Sequence, residues 1–217
     1  MGSGLDHLQL QAEKIKEYKS LTEPYENNVA GLRIVVYPKV YTGGTDSKIL
    51  SETMKINSGD HVLDLCTGTG IVALKAKQLG ADLVIGTDLN PEAVKNATEN
   101  ARLLKMKNIK FVEGDLFADI QEKFNVITMN PPYTDHKTQD KTEICFWDEN
   151  NSATRGLFEN FRKYLKPEGR VYLAWSDFAT QNLLEKLANE NQVRLELLVE
   201  EVGKSGLTFL VYQLVPL

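Results

Sequence analysis

From residue 60 onward, short apolar runs alternate with helix-length stretches, and this alternation constrains the fold more than any other feature of the chain. The runs lie at 61–66, 82–87, 109–113, 124–129 and 170–175, and the helical stretches at about 70–79, 91–104, 152–165 and 178–190. Strands that alternate with helices become parallel neighbours joined by crossovers, so both faces of the sheet are covered. The last segment breaks the pattern. Residues 194–202 and 207–215 are rich in β-formers and separated only by Gly203-Lys204-Ser205-Gly206, a spacing that predicts an antiparallel hairpin. The expected fold is α/β: a doubly wound, mostly parallel seven-stranded sheet closed by an antiparallel C-terminal hairpin.

The chain before this core is shorter and less regular. Residues 5–20 read as an amphipathic helix, 29–41 as a small hairpin or extended arm, and 42–46 as a loop. A helix is expected from about Asp46 to Lys55, stopped by Asn57-Ser58-Gly59. This divides the chain into an N-terminal helix and arm, 1–40, and a main domain, 41–217. At 217 residues, 42% hydrophobic and 25% charged, the chain can bury a sizeable core. Its net charge of -5 lacks the bulk basic footprint of a protein that grips many phosphates. Cys66 and Cys145 lie far apart, and His7, His61 and His136 are scattered, so neither a disulfide framework nor a metal site is expected. No apolar run approaches the length of about 18 residues that spans a membrane, and a cytoplasmic location is the expectation.

Four strand ends carry the chemistry. The first leads into Asp64-Leu65-Cys66-Thr67-Gly68-Thr69-Gly70, where glycines let the backbone turn tightly and approach a ligand; the competing reading is a turn that merely packs. Asp88 follows the second strand, 20 residues beyond Gly68. In a doubly wound sheet that position faces the ribose of a bound nucleoside. The alternative is that Asp88 or Asn90 only caps the helix opened by Pro91. Asp115, followed by Leu116, ends the third strand, where a carboxylate can accept from the exocyclic amine of an adenine or stand as a plain turn residue.

The fourth strand runs into Asn130-Pro131-Pro132-Tyr133, the most specific signal in the chain. Two prolines fix φ and remove two donors, so the turn presents rigid carbonyls. The Asn130 side-chain oxygen and the Pro131 carbonyl can accept both hydrogens of a planar –NH2 group, and Tyr133 can offer it a flat face.

Taken together, these residues resemble a class I S-adenosylmethionine-dependent methyltransferase of the amino-group branch, from about residue 40 onward. Asn130-Pro131-Pro132-Tyr133 is similar to that branch's catalytic motif, which serves adenine N6, related exocyclic amines or glutamine side-chain amides. The segment Val40-Tyr41-Thr42-Gly43-Gly44-Thr45-Asp46-Ser47 resembles the HemK-like glutamine methyltransferases, with Gly43 in place of a proline and Ser47 in place of a threonine. The resemblance implies S-adenosyl-L-methionine as cofactor, held by Asp46, Asp64, Cys66, Gly68, Gly70, Asp88, Asp115, Leu116 and Asn130, with Thr45 a further candidate. It implies Asn130, Pro131 and Tyr133 as the catalytic groups.

Substrate choice points to the stretch 134–150, where five acids stand against Lys137 and Lys141. A net-acidic lip repels a phosphate backbone, so a protein segment or a small-molecule amine or amide is the favoured partner. A nucleic-acid adenine stays open as the alternative, with Arg33, Lys39, Arg102, Lys105, Lys107 and Lys110 as its only basic face; no membrane partner is expected. Phe146 and Trp147 either close over the substrate or anchor the loop on the core, anchoring being favoured. His136 is read as an exposed loop residue in preference to a general base.

Overall fold

The computed structural model describes residues 7–138, 140 and 143–217; the expected helix start at Leu5 and the loop residue Lys141 lie outside them. The chain opens with α1 (His7–Ser20) and a hairpin of β1 (Tyr25–Val29) and β2 (Leu32–Val36), followed by α2 (Thr45–Thr53). The core is then β3 (His61–Leu65), α3 (Ile71–Gln78), β4 (Leu83–Asp88), α4 (Pro91–Leu103), β5 (Ile109–Glu113), β6 (Phe124–Met129), α5 (Ser152–Tyr164), β7 (Leu165–Ser176), α6 (Leu183–Glu190), β8 (Val193–Val202) and β9 (Thr208–Pro216).

The seven-stranded sheet has the order β5-β4-β3-β6-β7-β9-β8. Its first five strands are parallel, and β9 inserts antiparallel between β7 and β8, as the apolar alternation and the terminal pair predict. The central strands are apolar and buried on both faces, with Leu63, Val84, Ile85 and Ile127 wholly inside. The strand order reverses at β3, whose neighbours are β4 on one side and β6 on the other. A crevice at the carboxyl ends of these strands follows from that reversal.

Three local expectations are corrected. The arm of 29–41 is a hairpin that begins earlier, at Tyr25, because α4 supplies partners the local sequence does not hint at. Asn96 accepts from Tyr37 N (2.9 Å) and donates to Val35 O (2.7 Å). Asn100 accepts from Val35 N (2.8 Å) and donates to Val35 O (2.9 Å). The helix expected over 178–190 starts only at Leu183, behind a turn at 177–182. The strand expected over 170–175 extends back to Leu165, with a register shift against β6.

Candidate active site

At the carboxyl ends of β3, β4, β5 and β6 lies a cavity of about 290 Å³. Cys66 and Gly68 follow β3, Asp88 through Asn90 end β4, Gly114 through Leu116 follow β5, and Asn130 through Tyr133 follow β6; all of them line it. Four strand ends far apart in sequence thus converge where the switch point requires.

The glycine turn is built from a buried carboxylate beneath it. Asp64, 1% exposed, accepts from Thr67 Oγ1 (2.6 Å) and Thr128 Oγ1 (2.7 Å), tying the end of β3 to β6. Burial pushes its carboxyl up to about 6, opposed by the two hydroxyls. Asp64 borders only a small recess beside the main cavity, shared with Tyr41, Cys66, Gly68 and Asn130. Gly68 (φ 54) faces the cavity, while Gly70 (φ 81) faces away from it: a Cβ there would lie 2.9 Å from Ala97 Cβ on α4. Gly70 therefore sets the packing of the turn against α4.

Asp88 ends β4 with both oxygens engaged by main-chain N–H groups, Asn90 N on Oδ1 (2.9 Å) and Gly68 N on Oδ2 (2.8 Å). The cap of α4 is Asn90, whose side chain accepts from Glu92 N, so Asp88 is left to face the cavity. Burial raises its carboxyl, and the two N–H groups pull it back. Cys66 lies among these acids, its thiol pushed well up by burial and then by Asp88 and Asp148, which leaves it no thiolate character. Asp115 and Leu116 (φ 49) line the cavity at β5, and Thr87 Oγ1 donates to Leu116 O (2.9 Å), fixing that turn.

The Asn-Pro-Pro-Tyr turn is held from α2. Asn130 Nδ2 donates to Ser47 Oγ (2.9 Å), and the Tyr133 hydroxyl donates to Asn130 Oδ1, so the side-chain amide is oriented at both ends. The same hydroxyl lies 3.0 Å from Asp46 Oδ2. Asp46, 2% exposed, also takes Tyr41 OH on Oδ2 (2.9 Å) and the N–H groups of Gly44 (3.1 Å) and Ser47 (2.7 Å) on Oδ1. The Tyr133 ring is 6% exposed and lies nearly perpendicular to those of Trp175 and Phe178, so little of the flat face expected of it is open. Thr45 does not line the cavity.

The roof is a feature that motif reading missed. Gln11 and Lys14 of α1 and residues 144–149 also line the cavity. Phe146 and Trp147 pack with Ile15 and Tyr18 of α1 in a small apolar cluster separate from the main core, so the anchor of the loop is α1. Gln11 Nε2 donates to Phe146 O (3.1 Å) and Gln11 Oε1 accepts from Thr134 Oγ1 (3.2 Å). Lys19 reaches Asp140 and Glu143, each at 2.7 Å, while Asp148 caps α5 through the N–H groups of Ala153 and Thr154. Much of the acidic lip is thus engaged inside the protein. His136 packs on Trp147 and does not line the cavity. The apolar spacing of α1 was visible in the sequence, but nothing local showed which surface it covers.

Fold and site define a Rossmann-like methyltransferase. The chain belongs to the methyltransferase small domain family, whose family model matches residues 33–196. It is 32% identical over 186 residues, 80% of this chain and 94% of the relative, to a Methanocaldococcus jannaschii protein named "Putative protein N5-glutamine methyltransferase MJ0928". It is 35% identical over 155 residues to the release factor glutamine methyltransferase of Thermodesulfovibrio yellowstonii, covering 65% of this chain and 56% of that one. Among solved structures, a methyltransferase from Pyrococcus furiosus superposes with a TM-score of 0.66 at 19% identity, over 98% of this chain and 100% of that one. The 16S rRNA N2 G1207 methyltransferase of T. thermophilus, in complex with AdoMet and guanosine, superposes with a TM-score of 0.67 at 18% identity, over 90% of this chain and 50% of that one. Those two likenesses establish the fold alone.

Proposed function

We propose that the protein transfers a methyl group from S-adenosyl-L-methionine to the side-chain amide nitrogen of a glutamine in a protein substrate. The observation that carries this reading is the oriented Asn130 amide at the cavity wall, on the one turn whose two prolines also free a rigid main-chain carbonyl. The names of the relatives support it.

The cavity suits a cationic nucleoside. Asp88 lines it as a half-buried carboxylate whose hydrogen bonds come from main-chain N–H groups, and Asp64 lies beside it beneath the glycine turn. Asp88 stands where the ribose hydroxyls belong, Asp115 and Leu116 where the base belongs, and Gly68 and Cys66 border the remainder. When bound, the cofactor supplies an electrophilic methyl group on a sulfonium. Asn130 Oδ1 and Pro131 O accept the two amide hydrogens, which sets the plane of the acceptor and turns one face of its nitrogen toward the cofactor side. A nitrogen that has gained a fourth bond is strongly acidic, so its proton leaves to water without a strong base; no histidine lines the cavity among the described residues. Leu89, Ile144, Phe146 and Phe178 keep the walls apolar, which strengthens each of these polar contacts.

Adenine in a nucleic acid is less well served. Of the six basic candidates, Arg33 is paired with Glu26, Arg102 with Glu99 and Lys110 with Glu122, so half of that face is neutralised. We assign the activity to the cytoplasm, where a glutamine-bearing protein substrate and a chain without a disulfide framework both fit. The test is incubation of a cell extract with methyl-labelled cofactor. Label recovered as N5-methylglutamine after protein digestion supports the assignment, and label confined to RNA, DNA or small metabolites overturns it. Asn130→Ala should abolish the labelling while cofactor affinity is retained.

A further inference from the structure

The Tyr133 hydroxyl carries one hydrogen and faces two acceptors, Asn130 Oδ1 and Asp46 Oδ2. We propose that Asp46 is a positioning residue for the acceptor site: it takes the Tyr133 hydrogen when a substrate amide arrives, leaving Asn130 Oδ1 free to accept from the substrate. The inference rests on the acceptor role proposed for Asn130 and assigns Asp46 a task other than cofactor binding.

The geometry supports this division of labour. All four partners of Asp46 are donors, as an acceptor-only carboxylate requires. Its Oδ1 is occupied by the main-chain N–H groups of Gly44 and Ser47, so the side chain cannot rotate without losing both. Oδ2 is thereby aimed at the two tyrosine hydroxyls. Neither tyrosine loses its hydrogen: burial, then the Asp46 charge, pushes both phenols well above their ordinary value. At the far end, Ser47 Oγ holds Asn130 Nδ2 at 2.9 Å, so rotation of the Tyr133 hydroxyl changes the load on Asn130 Oδ1 without turning the amide. Ser47 is next to Asp46 on α2, and this one short segment therefore sets both ends of the Asn130 hydrogen-bond network.

The direct test needs neither cofactor nor substrate. In protein labelled with 15N-asparagine, the Asn130 side-chain NH2 signal is assigned by its loss in Asn130→Ala. Asp46→Asn keeps the two main-chain N–H bonds on Oδ1 and turns an NH2 toward the tyrosines. The Tyr133 hydrogen is then driven wholly onto Asn130, and the signal moves in the direction of a stronger bond at Oδ1. Tyr133→Phe moves it the opposite way. Tyr41→Phe, which removes the competing donor at Oδ2, moves it the same way as Tyr133→Phe and serves if Asp46→Asn does not fold. In turnover, Asp46→Asn lowers kcat by about fivefold to tenfold, the effect of weakening one hydrogen bond, and has no further effect in a Tyr133→Phe background. Affinity for S-adenosyl-L-methionine, measured by calorimetry, stays within about threefold of wild type because Asp46 keeps its own partners. An unmoved Asn130 signal, equal-direction shifts in Asp46→Asn and Tyr133→Phe, or a loss of cofactor affinity in Asp46→Asn overturns the proposal. Variants that show these shifts, in a protein whose wild-type form methylates no protein substrate, would fail the proposed function alone.

Discussion

The main-chain N–H of Gly68 donates to Asp88 Oδ2 across 2.8 Å, so the turn after β3 and the acid ending β4 are one unit. A ligand hydroxyl that reaches Asp88 meets a carboxylate already aimed by the turn that cradles it. Asp88→Ala removes the acceptor proposed for the ribose and the brace of the turn together. Hydrogen bonds to a charged group contribute about 1.5–3 kcal/mol, so cofactor affinity should fall by about 10- to 100-fold. Calorimetric titration checks this, and Asp88→Asn should fall between the variant and wild type.

Asp64 makes stability depend on pH in an identifiable direction. Its folded value of about 6 lies above that of an unfolded carboxylate, so between about pH 4 and pH 6 the folded chain binds a proton that the unfolded chain has released. The contribution of Asp64 is therefore most favourable below pH 4 and declines by about 3 kcal/mol as pH rises through 6. Asp64→Asn removes this dependence. Denaturation at pH 5 and pH 7 should show wild type gaining relative to Asp64→Asn on acidification; a gap that is constant with pH would count against it.

Gly70 occupies a left-handed position with Ala97 Cβ 2.9 Å and Phe111 Cζ 3.1 Å from where its own Cβ would be. Gly70→Ala should cost about 2–4 kcal/mol, strain and overpacking adding together. Adding Ala97→Gly should restore part of this, because it removes the nearest clash while the backbone strain remains. Denaturant midpoints of the single and double variants make the comparison.

Asn96 and Asn100 sit one turn apart on α4 and stitch the β1–β2 hairpin to it, but only Asn100 also donates to Thr69 O (3.0 Å), inside the glycine turn. Asn96→Ala leaves the Tyr37 N–H just past β2 without its acceptor, and Asn100→Ala does the same to Val35 N, at about 1–3 kcal/mol each, while Val35 O keeps one donor in either variant. Asn100→Ala should in addition weaken cofactor binding several-fold, and Asn96→Ala should not. Equal losses of affinity in the two would show that Thr69 needs no such support.

Phe146 rests edge-on against Tyr18, with ring centroids 4.9 Å apart, in the cluster that joins the roof to α1. Phe146→Ala should loosen this roof while the main core keeps its packing. Tryptic cleavage after Lys137 should then accelerate by about tenfold or more with little change in the global unfolding midpoint, as expected for local opening. Gel or mass-spectrometric time courses read it directly.

Most of what locates the cavity was legible in the sequence, because it depends on local order. A buried parallel strand must be an apolar run, and a turn at its end must carry residues such as Gly68 and Asp88 at fixed offsets. Strand β1 was not legible: Tyr25-Glu26-Asn27-Asn28 carries no strand signal, and its sheet geometry comes with a hairpin whose other strand is held by Asn96 and Asn100, some 60 residues away. The lip shows the same limit. Its acids could be counted along the chain, but Lys19, which answers two of them, lies more than a hundred residues upstream.

The sequence by itself determined the class of fold, the end of the sheet where the cavity opens, and the Asn-Pro-Pro-Tyr turn as the proposed acceptor site. These follow from hydrophobic period, from backbone freedom at glycine and from its restriction at proline, all properties of neighbouring residues. Only the tertiary structure decided that Gly70 packs instead of cradling, that α1 roofs the cavity, and that Asp46 spends its acceptors on Tyr41, Tyr133 and the start of α2. A hydrogen bond or a close contact depends on distance in space, and at these positions the partners are distant in sequence or share their donors with a third residue.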